Sequence, residues 1–357
     1  STDAAREALR LGRAGGAWTI LNPAPADGLD RSVISLADIV VEVGLATGYR
    51  PGNHVDATRY KVSDTVCQLE GDPTQWTHHV NDQCIVIGWA GYDEKTRWMP
   101  PEHFMAEALR RGLYESCQHG LLSGCGPDGK LMVRLREEGP RWIVEHILVS
   151  LQQPRDAQFT AVCEHIAAVL RSVYEQCREG DRRWLAGWES IELLLNPNGP
   201  IVEGGSDGDN GQTGRKLAMD YYGPRVPIGG GAWSGKDFRK VDRIGGMLAR
   251  ELALSAVAES GADDALVTLE YIPGCSAPVH VGVILDGRPT PLAALPATGA
   301  IPRNNLAAWQ RYVTAETPLV EMARWGHQQS GAPWEARLTT VEVASAHDEP
   351  LHAIAGS

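Results

Sequence analysis

Apolar positions along this chain recur at two periods, and the switches between them outline its elements. The run SLADIVVEVGLA, from Ser35 to Ala46, spaces apolar residues as an amphipathic helix does, with Ser35 as its cap and closure near Gly48. Tyr60 to Leu69 (YKVSDTVCQL) alternates as a strand would, and CIVIGWA after Gln83 forms a second apolar strand. Pro100-Pro101 then opens the helical pattern EHFMAEALRRGLYE. A Gly126-Pro127-Asp128-Gly129-Lys130 turn feeds the alternating strand LMVRLR, and Arg141 to Gln153 pairs with it. Asp156 to Cys177 is helical by period, and Glu189 to Asn196 is a short strand. Val241 to Ala258 predicts a helix with small residues turned inward. Leu266 to Ile272 and Val279 to Leu285 predict adjacent strands. Near the start the pattern is ambiguous. AREALRLGRA suits a helix, whereas Gly15-Gly16 followed by AWTILN suits a turn and strand; NPAPAD, from Asn22 to Asp27, is a loop.

Composition narrows the class of protein. The 357 residues allow two or three domains, and 43% hydrophobic with 22% charged residues is ordinary for a globular fold. A formal net charge of -12 argues against binding nucleic acid or anionic membrane. No apolar run approaches the ~20 residues needed to span a bilayer, and the start has no apolar core of a secretory signal. The seven cysteines are scattered without C-x-x-C spacing, so reduced thiols in a cytoplasmic protein are expected. His78-His79 is the only adjacent histidine pair. With no second Cys/His cluster at zinc spacing it remains weak as a metal site.

The chemistry concentrates between Gly204 and Arg243. Two glycine-rich segments, each ending in basic residues, flank a short apolar run. Gly230, Gly235 and Lys236 satisfy G-x-x-x-x-G-K, but Asp237 replaces the Ser/Thr of a Walker loop. Backbone amides close around phosphate oxygens only where no Cβ intervenes. Arg215, Lys216, Lys236, Lys240 and Arg243 add five cations to an acidic chain, which implies a specific polyanionic ligand. The bland alternative is a pair of surface turns with solvated lysines.

GGSDGDNGQTGRKLAMDYYG followed by GGGAWSGKDFRKVDR resembles the paired signature segments of S-adenosylmethionine synthetases. The likeness extends from about Leu36 to Glu335. Asp82-Gln83 resembles the family's Asp-Gln pair, with Asn81 and Cys84 in place of flanking glycines. Asp128 and Lys130 match an ATP-contacting acid and a phosphate-contacting lysine. Asn196 to Gly199 resembles a family turn, after which Pro200-Ile201 replaces Arg-Phe and removes an aromatic partner for adenine. The ending Gly326-His327 and Pro333-Trp334-Glu335 is also family-like.

The resemblance implies an α+β fold of three structurally similar domains, each a mixed β-sheet with helices on one face, dimerising through the sheets. The corresponding division is 1–77, 78–203 and 204–357. It implies transfer of adenosyl from ATP to the sulfur of methionine or a related thioether, followed by hydrolysis of the released triphosphate. Lys130, Arg215, Lys236 and Lys240 are the catalytic cations by this likeness. Asp128, Lys216, Gly230, Gly231 and Ser234 join them in holding ATP. Asp82, Gln83 and Asp209 face methionine, and Asp242 binds one of two expected Mg²⁺ ions, with K⁺ as a further cofactor. A homodimer or tetramer is expected. The family's opening His-Pro-Asp-Lys segment occurs nowhere in the 357 residues, and Glu7 only weakly matches an acid that follows it. A truncated chain, a second synthetase-like polypeptide supplying that segment in a hetero-oligomer, and loss of the ordinary activity are the three explanations.

Overall fold

The computed structural model describes residues 13–14, 17–18, 35–63, 80, 82–209, 214–236, 238–314 and 319–335. Glu7, the His78/His79 pair and positions 64–69 of the expected Tyr60–Leu69 strand lie outside them. In chain order the elements are strands β1 (Arg13–Ala14) and β2 (Ala17–Trp18), helix α1 (Leu36–Thr47), β3 (Cys84–Gly91) and α2 (Pro101–His119). Next come β4 (Gly129–Glu138), β5 (Arg141–Leu151), α3 (Phe159–Gly180), β6 (Glu192–Leu195) and α4 (Leu217–Asp220). The last are α5 (Val241–Ser260), β7 (Asp264–Tyr271), β8 (His280–Leu285), β9 (Arg288–Pro289), α6 (Pro296–Gly299), α7 (Asn305–Tyr312) and α8 (Leu319–Trp325). The fold is α+β, as the family resemblance implies. Contacts divide the chain into two units, one of residues 1–76, 92–237 and 318–327, the other of 77–91, 238–317 and 328–357.

In the first unit, β4, β5 and β6 form a sheet in that order, β4–β5 antiparallel and β5–β6 parallel. A parallel neighbour needs a crossover, and α3 supplies it. The buried side of β5 switches parity, from Trp142 and Val144 to Ile147, Val149 and Leu151. The cause is a bulge: Arg134 pairs with His146 and Leu135 with Val144, which leaves Glu145 as the extra residue. Glu145 is held there by the Arg134 and Arg136 guanidinium groups at 3.2 and 3.1 Å. Against this face pack Met105, Leu109 and Leu113 of α2 and Val162, Ile166, Leu170 and Tyr174 of α3, each set spaced four residues apart. Helix α1 is capped as expected, by Ser35 Oγ accepting from Asp38 N at 3.2 Å and by Gly48 in the left-handed conformation.

The second unit is organised by α5, which lies on the antiparallel sheet β3-β7-β8-β9. Sequence predicts an inward stripe of small residues. Instead Val241 and every residue from Arg243 to Val257 are buried, with Arg250 and Glu251 among them. The helix lies so close to β3 that a Cβ on Gly88 would stand 2.0 Å from the Ala249 backbone. Arg250 donates to Glu335 through Nε and Nη2, at 2.9 and 2.8 Å, and through Nη1 to the Trp89 carbonyl. Glu251 accepts from Arg311 and from the Tyr312 hydroxyl. Burial, then the Glu251 carboxylate, pushes the Tyr312 phenol well above its ordinary pKa and keeps it a donor. Among the described residues no helix is long and apolar enough to cross a membrane.

The Gly88 contact makes a stability prediction. Gly88→Ala should cost about 3 kcal/mol or more, because backbone rather than a flexible side chain stands in the way. Gly180→Ala, whose new methyl meets nothing within 4 Å, should be neutral or stabilise by up to about 1 kcal/mol. Chemical denaturation of both variants reads the difference, and equal midpoints would contradict the packing described.

Candidate functional site

Two parts of the predicted phosphate site assemble within the first unit. The Pro127–Gly129 turn is docked on the start of the first glycine-rich segment: Gly205 N–H donates to Asp128 Oδ2 at 2.8 Å. Lys130 follows two residues later, exposed on β4 opposite Ser150. Asp209 N–H donates to the Gly205 carbonyl at 3.1 Å, which turns the chain and leaves the Asp209 carboxylate exposed. The two glycine-rich segments then touch. A Cβ on Gly214, whose φ is +79°, would stand 3.3 Å from Ala232 Cβ.

The second segment hangs from an aromatic anchor. Trp233 is fully buried, with its ring centroid 4.5 Å from Tyr221 and 5.3 Å from His327. The Tyr221 hydroxyl donates to the Gly231 carbonyl at 2.7 Å. Pinned at Trp233, the loop leaves Gly230 exposed and Gly231, Ser234 and Lys236 half-buried, while Arg215 and Lys216 are exposed on the neighbouring segment. Among the described residues Lys130, Arg215, Lys216 and Lys240 take part in no ion pair. An anion reaching these four would break no ion pair formed among the described residues.

In the second unit, Asp82 and Gln83 are exposed just before β3, with Gln83 N–H donating to Asp82 Oδ1 at 2.9 Å. The next residue joins them to the other motif, since Cys84 Sγ donates to Asp242 Oδ1 at 2.8 Å. Lys240 occupies the N-cap position of α5, and half-buried Asp242 lies in its first turn. Arg243 does not belong with the free cations. It is 2% exposed, and its guanidinium sits 3.7 Å from the Phe238 ring centroid. A cation in a motif can serve the fold, and only burial separates the two cases.

Sequence reasoning missed the Trp233 anchor and the Cys84–Asp242 contact. Both join residues far apart in the chain, and neither leaves a periodic trace. Ile201, where an adenine-stacking aromatic was expected by likeness, is half-buried, and its carbonyl accepts from Gln153 N–H at 2.8 Å.

Family comparison reads the same two regions. The family model for the S-adenosylmethionine synthetase central domain matches residues 77–201, and that for the C-terminal domain matches residues 203–291. The chain belongs to the S-adenosylmethionine synthetase family. It is 37% identical over 200 residues to the S-adenosylmethionine synthase of Paracoccus denitrificans, covering 56% of this chain and 50% of that one. With the Thermus thermophilus synthase it shares 34% over 269 residues, 71% of this chain and 64% of that one. The chain thus spans between half and just under two thirds of the length of these relatives. A solved structure described as an unusual S-adenosylmethionine synthetase from Campylobacter jejuni superposes with a TM-score of 0.74 at 21% identity, over 94% of this chain and 92% of that one. That likeness speaks for the fold.

The family's Mg²⁺ suits the donors here. Mg²⁺ takes one or two carboxylates and completes its shell with phosphate oxygens and water. Asp242, half-buried in the first turn of α5, supplies a carboxylate of the kind that role needs. Among the described residues no group of three His, Cys, Asp or Glu could hold a metal without such help.

Burial separates two cations of this region by experiment. Arg243→Ala should lower the unfolding free energy by about 2–3 kcal/mol through lost packing and cation–π attraction. Exposed Arg215→Ala should stay within about 0.5 kcal/mol of the parent. Urea denaturation of the two variants decides, and a neutral Arg243→Ala would return that residue to the ligand-binding cations.

Proposed function

We propose that this chain is an adenosyltransferase that joins the sulfur of methionine, or of a related thioether, to C5′ of ATP. The observation that carries the reading is the approach of the two glycine-rich segments at Gly214 and Ala232, with Arg215 and Lys216 exposed next in sequence and in no ion pair among the described residues. A sulfur lone pair forms the S–C5′ bond while the C5′–O bond breaks, and that electron pair leaves on the triphosphate. A thioether has no proton to lose, so no general base is required. The difficulty lies in the charge growing on the leaving oxygen, and fixed positive groups are the remedy. Lys130, Arg215, Lys236 and Lys240 are assigned to that charge. Lys216, Ser234 and the amides of Gly230 and Gly231 hold the remaining phosphate oxygens, and Asp128 holds the nucleoside end. Asp82 and Asp209 offset the new sulfonium charge, with Gln83 beside the methionine. Mg²⁺ at Asp242 would neutralise phosphate oxygens when bound. Hydrolysis of triphosphate to pyrophosphate and phosphate, a K⁺ requirement and a homodimer or tetramer belong to the same reading, as does the division into domains at 77 and 203.

A second reading is a nucleotide-binding subunit that acts with a partner chain. It would apply if the family's His-Pro-Asp-Lys segment reached the site from another polypeptide. Product analysis with ATP, methionine, Mg²⁺ and K⁺ separates the two. S-adenosylmethionine made by the purified chain alone excludes dependence on a partner, whereas formation only with a second synthetase-like chain excludes self-sufficiency. Under whichever condition yields product, Lys236→Ala should abolish turnover while leaving the circular dichroism spectrum and melting temperature unchanged. Undiminished turnover in that variant would remove the triphosphate role of the loop.

A further inference from the structure

The residue that ties the Asp128 turn to the glycine-rich segment is Gln152. It follows the last residue of β5 and is 3% exposed. Its main chain clamps the turn from both sides. Gln152 N–H donates to the Asp128 carbonyl at 2.9 Å, and Gly126 N–H donates to the Gln152 carbonyl at 3.1 Å. Its side chain reaches the segment that leads into the loop, where Nε2 donates to the Val202 carbonyl at 2.9 Å. Between these ends the amide fills space that only glycines leave open. A Cβ on Gly126 would stand 2.0 Å from Gln152 Oε1, and one on Gly204 would stand 3.0 Å from Gln152 Cδ. The same Cβ on Gly204 would lie 3.0 Å from Asp128 Oδ2, the atom that accepts from Gly205 N–H at 2.8 Å.

We propose that Gln152 is a positioning residue for the nucleotide site, setting the separation between the Asp128 carboxylate and the Gly204–Gly205 backbone. The inference rests on the reading of Asp128 as a nucleotide contact. An ionised carboxylate only accepts hydrogen bonds. With Oδ2 taken by Gly205, Oδ1 is left for a donor on the nucleoside portion, a hydroxyl or an amine. Loss of the Gln152 amide removes the bond to Val202 and opens a void beneath both glycines. The turn and the loop then lose their fixed spacing, and the carboxylate loses its aim. The second glycine-rich segment, with Lys236, is held separately by Trp233 and Tyr221 and does not depend on this brace. Nucleotide and bare polyphosphate should therefore respond differently.

The test uses the full chain and measures equilibrium binding of a non-hydrolysable ATP analogue and of inorganic tripolyphosphate. Gln152→Ala should weaken the analogue about tenfold, the scale of one hydrogen bond network serving a charged group, and leave tripolyphosphate binding within about twofold. Gln152→Met preserves the bulk and removes the amide, so it should show the same split where the alanine variant folds poorly. In a double-mutant cycle, Gln152→Ala on top of Asp128→Asn should add little, because one acts through the other. Independent, multiplying penalties would overturn the proposal, as would equal weakening of both ligands, the mark of a merely structural role. If Asp128→Asn alone leaves the analogue's affinity unchanged, the nucleotide role of the turn falls and takes the brace with it. That result is distinct from an additive cycle.

Discussion

Two opposite charges on successive residues of one helix, neither reached by water, constrain the whole second unit. Arg250 and Glu251 are each 0% exposed, and a buried charge without a partner is untenable. Their partners therefore have to be delivered by other elements. Arg250 engages the Trp89 carbonyl of β3 and the Glu335 carboxylate of the turn after α8. Glu251 engages Arg311 and Tyr312 of α7. Trp334 reinforces this corner by packing edge-on against Tyr312 at 5.7 Å. Replacing such pairs with apolar residues often costs little stability, so their value lies elsewhere. A purely apolar α5 could slide along its sheet, whereas one with two fixed charges has a single register. The register matters because α5 begins at Lys240–Asp242, where two of the proposed ligand-binding groups are displayed.

The first unit achieves the same end by different means. Its glycine-rich loop has almost no apolar content of its own, yet Trp233 is sunk completely among Tyr221, Tyr222 and His327. The backbone on either side is then held without side-chain bulk around it. This separates two requirements that usually conflict. Amides that receive an anion must be bare, and bare glycine backbone is floppy. One buried indole restores order and leaves the amides accessible.

Much of this was legible in the sequence, and the failures have identifiable causes. The helices at Ser35 and Pro101 could be read because a cap or a proline at the start is followed by apolar residues three and four apart. The joint motif from Gly204 to Arg243 marks the cations as candidates, and likeness adds Asp128 and Lys130. The parity switch in β5 was not legible: WIVEHILVSLQ scans as one strand, and only pairing exposes Glu145 as an extra residue. Arg243 counts with the other cations in the sequence, which registers charge and not burial. For helix α5 the sequence shows small residues turned inward and no more. Its burial all round, with the charges at 250 and 251 included, depends on partners from positions 311, 312 and 335 that the helix's own pattern does not carry.

The distribution of charge ties these observations to chemistry. Acidic residues outnumber basic ones by 45 to 33, so a lysine or arginine on this surface has ample opportunity to pair. Many arginines do, among them Arg97, Arg183, Arg225 and Arg311. Lys130, Arg215, Lys216 and Lys240 are not paired in this way among the described residues. A chain that leaves these cations uncommitted forgoes modest surface ion-pair energy, worth less than about 1 kcal/mol each. In the proposed reading it keeps charge available for an incoming polyanion, with no ion pair among the described residues to break first. For a displacement at carbon by a neutral sulfur, where no proton moves and the barrier lies in the leaving group, such preorganised charge is the main contribution a protein can make.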